Sequence, residues 1–395
     1  MRPMVESNNI EKSLKPRIII LSPTVSQPRF HRRAAMLLEA GYDITVYAFQ
    51  RGYYEQNTYP REVDVVSLGE VEEGKYLNRI PKLLKAVSRI KSSEKQHKIY
   101  PDFLYAFGLD MALIGQFSFP RNMPMVYEIG DIQCPLPHKT IVEKIIGIIE
   151  RKILDRCRLL ILTSPGFLTD YFKILRPDIH KKVLIIENKM DRGVGAKFTR
   201  PQTPKAVSKP IKIGYIGAFK YEDCIFPLIE SISKRKGDFE LHFYGDGPIK
   251  KAIQESAAKY SNIFYHGSFS STQDLHRIYE TVDLSYVVYD NLDPNVRMAL
   301  PNKLYDGPYF GVPLVVAENT LLASRVREQG IGLVVNPQKD GFAEELLDVL
   351  TPELVCKLSG ATLKLDLNLL VESYEKIIPV FKQLSIVDRD RFDEQ

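Results

Sequence analysis

The stretch Ala299-Leu300-Pro301-Asn302-Lys303-Leu304-Tyr305-Asp306-Gly307-Pro308-Tyr309-Phe310-Gly311-Val312-Pro313-Leu314-Val315-Val316-Ala317 decides the fold of this chain. It reads as a polar turn, a short helix carrying an acid, a Gly-Val-Pro turn and a buried strand. In a protein of alternating strands and helices, that order sets the acid beside the carboxyl edge of a parallel sheet. Ligands bind in the crevice outside that edge. Asp306 is therefore the first candidate site residue.

Working outward, the same alternation fills the chain. Arg17-Ile18-Ile19-Ile20-Leu21-Ser22 is a continuous apolar run, as a strand buried on both faces requires. A helical pattern over 29–40 ends at Gly41, and a second strand follows over 43–49. This is a βαβ opening, with a right-handed crossover. Further strands are expected at 63–68, 103–107, 125–129, 159–163 and 183–187, with the clearest helix between them at 141–156. Residues 193–209, rich in Pro, Gly, Lys and Ser, lack periodicity and read as a linker. The alternation then restarts. Strands are expected at 211–216, 240–244, 262–265, 284–289, 313–316 and 332–335. Helices fall at 224–234, 249–260, 272–282, 321–328 and 342–350, and a last one over 367–384. Two such runs predict two doubly wound α/β domains facing across a cleft. The expected bounds are 1–192, a linker at 193–210, 211–365, and a C-terminal helix within 366–395 that crosses back to the first domain.

Composition narrows the function classes. A chain of 395 residues is long enough for two cores, and 44% apolar with 26% charged residues is ordinary for a globular protein. Residues 1–15 read as a polar, disordered lead-in without a secretory signal, and no apolar run reaches the ~18 residues of a membrane span. Cys134, Cys157, Cys224 and Cys356 are scattered without a CxxC pair, so neither a zinc site nor a disulfide framework is expected, and a reducing cytoplasm fits. A net charge of +5 allows anionic ligands or an anionic membrane without demanding nucleic acid.

Several turns carry a family resemblance. Gly217-Ala218-Phe219, Tyr244-Gly245-Asp246-Gly247-Pro248 and Tyr265-His266-Gly267 resemble the Gly-Arg-Leu, Gly-x-Gly-Pro and Phe-x-Gly turns of family 4 retaining glycosyltransferases of the GT-B fold. Pro301 to Asp306 with Gly311 to Val316 resembles their Pro-x-Lys-Leu-x-Glu…Gly-x-Pro-Val-Val signature. Ile186 to Asp191 is similar to their Val-Ile-Pro-Asn-Gly-Val-Asp segment. Tyr127-Glu128-Ile129-Gly130-Asp131-Ile132 resembles the Glu-x-Arg-Asp-Leu-Trp-Pro segment of a bacterial surface-polysaccharide subset. The order and spacing of these pieces carry the likeness, which is densest over 211–336.

The resemblance implies a cytoplasmic enzyme, at the inner face of the membrane, that moves a sugar from a nucleoside diphosphate, UDP foremost, to a lipid-linked or glycan acceptor, with retention and without a metal or other cofactor. Asp306 would accept hydrogen bonds from the ribose hydroxyls. Lys303 and Lys220 would neutralise the diphosphate, with Gly217, Gly245 and Leu304 in the same donor site and Thr320 opening a helix toward the phosphates. Glu128 and Asp131 would be the catalytic carboxylates. Arg29, His31 and Arg32 would meet an anionic acceptor. This sequence departs from the pattern at three places: Ala218 stands for Arg, Gly130 for the usual His or Arg, and Met298 for the first acid, eight residues before Asp306. Asp290 and Asp293 are the stand-ins nearest that missing acid.

One segment has a chemistry of its own. Lys75 to Lys98 carries Lys75, Arg79, Lys82, Lys85, Arg89, Lys91, Lys95 and Lys98, with Leu77, Ile80, Leu83, Leu84, Val87 and Ile90 at helical spacing. A basic amphipathic helix of this kind packs on a core, lies on an anionic membrane, or does both. No recognition-helix or aromatic-interleaved basic pattern points to nucleic acid. Two rival readings remain: a non-hydrolysing UDP-sugar epimerase of the same fold, and a non-catalytic partner that binds glycan or scaffolds a transferase.

Overall fold

A computed structural model describes residues 15–25, 28–50, 62–70, 80–97, 100–132, 136–137, 140–270 and 273–384. The chain divides into two compact units. One comprises Met1–Tyr127, Arg156–Arg158 and Glu375–Gln395, the other Glu128–Asp155 and Leu159–Tyr374. The secondary structure forms two parallel sheets with interleaved helices.

The first sheet holds β1 (Arg17–Ser22), β2 (Asp43–Gln50), β3 (Asp64–Glu70), β4 (Phe103–Phe107), β5 (Met125–Ile129), β6 (Cys157–Leu162) and β7 (Val183–Ile185), in the order β3-β2-β1-β4-β5-β6-β7. The crossovers include helices α1 (Pro28–Glu39), α2 (Ile80–Glu94), α3 (Gly108–Ser118) and α4 (Ile141–Arg156). Every residue of β1, β4 and β5 is buried, which is why their sequences, Arg17, Ser22 and Glu128 apart, run apolar rather than alternating.

Arg17 ties the first unit together from inside. Its side chain is 3% exposed and ion-pairs with Glu94 of α2 at 2.8 Å, while both Nε and Nη2 donate to Thr45 Oγ1. The Tyr47 hydroxyl donates to the same glutamate at 2.6 Å. Burial, then the hydrogen bond to Glu94, pushes that phenol far above its ordinary range. The Phe381 ring lies 5.9 Å from that of Phe103 and 5.8 Å from that of Tyr105, so the segment at Phe381 packs over β4 within the same unit.

The second sheet holds β8 (Ile211–Ala218), β9 (Phe239–Asp246), β10 (Ile263–Tyr265), β11 (Leu284–Val287), β12 (Leu314–Ala317) and β13 (Gly332–Val335), in the order β10-β9-β8-β11-β12-β13. Its connections are α5 (Glu222–Ser233), α6 (Lys250–Lys259), α7 (Leu275–Thr281), α8 (Pro294–Met298), α9 (Lys303–Tyr309), α10 (Leu321–Gln329) and α11 (Phe342–Val349). Alternate strand residues feed different cores. Ile211, Ile213, Tyr215, Leu241 and Phe243 pack with α5 and α11. Ile216 and Tyr244 pack with α7 and the end of α9, and Leu314 and Val316 pack with Leu304 and α10. Helices therefore cover both faces, as a doubly wound sheet requires.

The tail departs from the expected single helix over 367–384. A four-residue helix, Leu367–Leu370, stops at Val371, which forms a parallel bridge to Met190. Met190 N donates to Leu370 O at 2.9 Å, and Glu372 N donates to Met190 O at 3.0 Å. The chain becomes helical again only from 378. A long-range strand contact replaces one turn of helix. Helices lie where none was expected at α12 (Pro352–Leu363), at α8 and at Arg192–Lys197, the last reaching into the stretch read as a linker.

Candidate functional site

The carboxyl edge of the second sheet is built from main chain first. β8 and β9 run in register to their ends, with Gly217 opposite Gly245 and Ala218 opposite Asp246. Gly217 has φ +138° and Gly245 φ +139°, values that side-chain-bearing residues rarely adopt. A Cβ at 245 would sit 1.9 Å from the Gly217 carbonyl oxygen, and one at 247 would sit 2.5 Å from Phe219 N. Gly245 N donates to Gly267 O at 2.8 Å, and Phe219 N donates to Asp246 O at 3.0 Å. The three turns that carry the family likeness therefore interlock as one backbone frame. Packing alone accounts for glycine at 245.

The stretch around α9 lies in the same second unit. Helix α9 is short because Pro308 removes a helical donor and Gly311, at φ +78°, turns the chain. Gly307 lets it press on β12: a Cβ there would meet Leu314 Cδ2 and Val312 O at 3.0 Å. This packing buries Asp306 to 6% exposure in the helix's first turn. Lys303 lies one turn earlier, its Nζ 3.7 Å from Asp306 Oδ2, with side chains 12% and 8% exposed. The same ammonium sits 5.8 Å from the centre of the Phe269 ring. Its Cε lies 4.0 Å from where a Cβ at 217 would be, so it runs beside the open Gly217 turn. Lys303, Asp306 and Gly217 thus come together. Lys220 is exposed beyond Phe219. The Leu304 side chain belongs to the core with Val316 and Leu322, so it offers a ligand no side-chain contact.

Thr320 caps α10. Its hydroxyl accepts from Ala323 N at 3.0 Å and donates to Ala317 O at 2.8 Å. Asn319 before it takes the left-handed conformation, φ 59°, which asparagine tolerates better than most residues.

A second group of polar residues gathers at the loop after β11. Asp293 caps α8 by accepting from Asn295 N at 2.8 Å. The Asn295 side chain then reaches back 163 residues: its Oδ1 accepts from Ile132 N at 2.7 Å and its Nδ2 donates to Asp131 Oδ1 at 3.3 Å. Tyr221 stacks on Tyr289 with ring centres 4.9 Å apart. Its hydroxyl is pushed up to about 12, first by burial and then by the charges of Asp293, Asp131 and, further down, Asp290. The charges of Asp131, Asp290 and Asp293 are therefore all felt at one hydroxyl, that of Tyr221. Sequence reading missed Asn295, because nothing local announces a partner so far away.

Glu128 and Asp131 part company. Glu128 is fully buried at the end of β5, whereas Asp131 is exposed. Met298, at the position of the family's first acid, is 5% exposed. Its carbonyl accepts from the buried Ser164 hydroxyl, and a Cβ at Gly166 would sit 2.7 Å from it. Glu187 accepts from the Tyr305 hydroxyl at 3.1 Å and lies 3.5 Å from Arg325, while Asn188 donates to Leu300 O at 3.0 Å. The 186–191 segment is thereby held against the start of the α9 stretch. Arg29, His31 and Arg32 sit on α1 in the other unit; Arg29 and His31 are half-buried and Arg32 is 5% exposed. Among the described residues no group of three His, Cys, Asp or Glu side chains is arranged to hold a metal ion.

Comparison with known proteins agrees with this architecture. Residues 210–352 match the family described as Glycosyl transferases group 1. The chain is 26% identical over 344 residues to the succinoglycan biosynthesis protein ExoL of Rhizobium meliloti (strain 1021), covering 85% of each. It resembles sucrose-phosphate synthase from Thermosynechococcus elongatus with a TM-score of 0.67 at 15% identity, over 96% of this chain and 100% of that one. It resembles Anabaena HepE, solved in complex with UDP and glucose, with a TM-score of 0.64 at 15% identity, over 93% and 99%. At such identities the structural likeness speaks for the fold, while the domain match speaks for the chemistry. The chain is a glycosyltransferase of the GT-B fold, with a glycosyl transferases group 1 domain at residues 210–352.

Proposed function

We propose that the enzyme takes a sugar from a nucleoside-diphosphate donor, UDP as the nucleotide, and passes it with retention to a lipid-linked or glycan acceptor in polysaccharide assembly. The observation that carries this reading is the pair of half-buried Lys303 and buried Asp306 beside the open Gly217 turn. It supplies, side by side, an anion for ribose hydroxyls and a cation for a diphosphate. The relative named for succinoglycan biosynthesis and the HepE structure holding UDP and glucose support the pathway and the donor class.

In this reading Asp306 accepts from the ribose hydroxyls. Lys303, aided by Lys220 and the first-turn N–H groups after Thr320, stabilises the charge that grows on the leaving diphosphate. The C1–oxygen bond to the phosphate breaks, the acceptor oxygen bonds C1 from the same face, and the acceptor's proton passes to the departing phosphate oxygen. No metal is required. Asp131, exposed and held by Asn295, orients the acceptor or the sugar. Glu128, fully buried, acts by supporting that loop rather than by touching substrate. The second domain, over 211–365, takes the donor. Residues 1–192, with Arg29, His31 and Arg32, serve the acceptor at the cytoplasmic face of a membrane, where the basic helix α2 within 75–98 makes contact. Of that segment, Lys75, Leu77, Arg79 and Lys98 lie outside the described residues.

The test is a thermal-shift panel of UDP-, GDP- and dTDP-sugars, repeated with a chelator. A ligand that binds only the folded state raises Tm. A rise with UDP-sugars that survives chelation supports the reading, and no rise with any donor overturns it. A second reading, a binding partner without catalysis, is favoured by Met298 in place of an acid. UDP-sugar binding with neither transfer nor slow donor hydrolysis would select it.

A further inference from the structure

The second sheet reverses its winding at β8. From there the strands run to β9 and β10 on one side and to β11, β12 and β13 on the other. Ligands of such sheets bind outside the carboxyl ends of the strands at that point, here β8 and β11. The segment after β8 brings Tyr221 to this place, and the segment after β11 brings Tyr289. Their rings stack with centres 4.9 Å apart at 29°. Among the described residues neither phenol hydroxyl has a hydrogen-bond partner.

Three carboxylates bear on the same place, and all three are felt at the Tyr221 hydroxyl. Asp290 Oδ1 accepts from Leu292 N at 3.0 Å and from Gln338 Nε2 at 3.3 Å. Asp293 Oδ1 is taken by Asn295 N, and Asp131 Oδ1 by Asn295 Nδ2. Each acid keeps its second oxygen open, and among the described residues none of them forms an ion pair. Lys220 and Arg297, close by in sequence, are exposed. Lys303 pairs with Asp306 instead. Charge on this edge is therefore divided. The acid beside the Gly217 turn is balanced by a lysine, while those beside the phenols are unbalanced.

Ionised carboxylates only accept hydrogen bonds, and a phenol presents an apolar ring with a polar tip. The ligand that fits has many donors, an apolar side and no anion of its own. A pyranose with free hydroxyls has all three properties. A uronic acid or a phosphorylated sugar brings a charge of the wrong sign.

We propose that the transferred sugar is a neutral hexose, received at Tyr221 and Tyr289, and that the unpaired Asp131, Asp290 and Asp293 exclude uronic acids. This rests on the donor reading above and adds the class of sugar that the donor carries. Specificity is a difference of affinities, and an unpaired like charge set against the wrong ligand is one way to obtain it.

Calorimetry with UDP, UDP-glucose, UDP-galactose, UDP-glucuronate and UDP-galacturonate tests it, since the nucleotide is common to all. Each uronate donor should bind about tenfold or more weakly than its hexose parent. In the Asp131→Asn/Asp290→Asn variant, which keeps side-chain shape, the gap should close to about threefold or less while UDP binds as before. Tyr221→Ala should bring UDP-glucose down to the affinity of UDP alone. Wild type that binds UDP-glucuronate as tightly as UDP-glucose overturns the proposal, and so does a gap that the Asn variant leaves unchanged. If neither UDP nor any donor binds, it is the donor reading that has failed. Methyl glucoside and methyl glucuronoside, compared by saturation-transfer NMR, then decide the sugar class by themselves. A glucoside signal that Tyr221→Ala abolishes supports the proposal. An equal or stronger glucuronoside signal, or none from either, overturns it.

Discussion

Replacing Asp306 by Asn keeps the shape of the side chain and removes its charge. The carboxylate is 8% exposed, so whatever it binds, it binds with little water in competition. A hydrogen bond to a charged group under these conditions contributes about 1.5–3 kcal/mol. At about 1.4 kcal/mol per decade, UDP should bind ~10- to 100-fold more weakly. The variant also strips Lys303 of its partner at 3.7 Å. The gross attraction at that distance is about 4 kcal/mol at an effective dielectric near 20, most of it offset by desolvation. A stability loss of about 1–3 kcal/mol is therefore expected, and urea unfolding should be run beside the binding assay. Calorimetry with UDP and with 2′,3′-dideoxy-UDP isolates the contact. Wild type should prefer UDP, and the variant should lose that preference. If UDP and its dideoxy analogue weaken equally in the variant, Asp306 does not hold the ribose. The loss would then come from the disturbed lysine.

Gly245→Ala should destabilise the second unit by about 3 kcal/mol or more in urea unfolding, because the new Cβ falls 1.9 Å from a carbonyl oxygen at φ +139°. Glu94→Ala should cost about 3–5 kcal/mol by leaving Arg17 buried without its carboxylate, again read by urea unfolding. Acid should weaken the second unit through His242 and His266, whose ring nitrogens lie 3.0 Å apart. Burial first, with Glu240 opposing for His242 and the charges of His242 and Arg277 adding for His266, holds both below the usual histidine pKa. The unfolded chain then takes up protons first, so this contribution is intact above about pH 6.5 and is lost as pH falls below it. The Tm of a His266→Gln variant should fall less than that of wild type between neutral pH and pH ~5.5.

The strands were legible because burial on both faces leaves one signal, an unbroken apolar run such as Ile18-Ile19-Ile20 or Leu314-Val315-Val316. Helix α3, expected between two strands, had no bounds to read for the converse reason: it is apolar nearly all round, with Met111, Ala112, Ile114 and Gly115 buried, and shows no stripe. Helix α12 did announce itself. Thr351 caps it by accepting from Leu354 N, and Pro352 occupies its first turn. The tail was misread because the contact that breaks it, Val371 with Met190, is remote in sequence. In the site, Lys303, Asp306 and Gly217 were legible from local motifs. The burial of Glu128 and the bridge from Asn295 to Asp131 were not, since both depend on which loops the topology brings together.

The interlocked glycine turns have a consequence for ligand capture. Where a Cβ at 245 or 247 would project, the carbonyl of Gly217 and the backbone of Phe219 already stand. This edge of the sheet therefore holds its shape without side-chain rotamers to freeze. The ordering cost is met when the chain folds and not when a ligand arrives, so a molecule that fits the edge keeps more of its contact energy as affinity. Such a frame also adapts poorly. Changes of ligand preference should come from the side chains set around it, Lys303 and Asp306 first, while the backbone frame stays as it is.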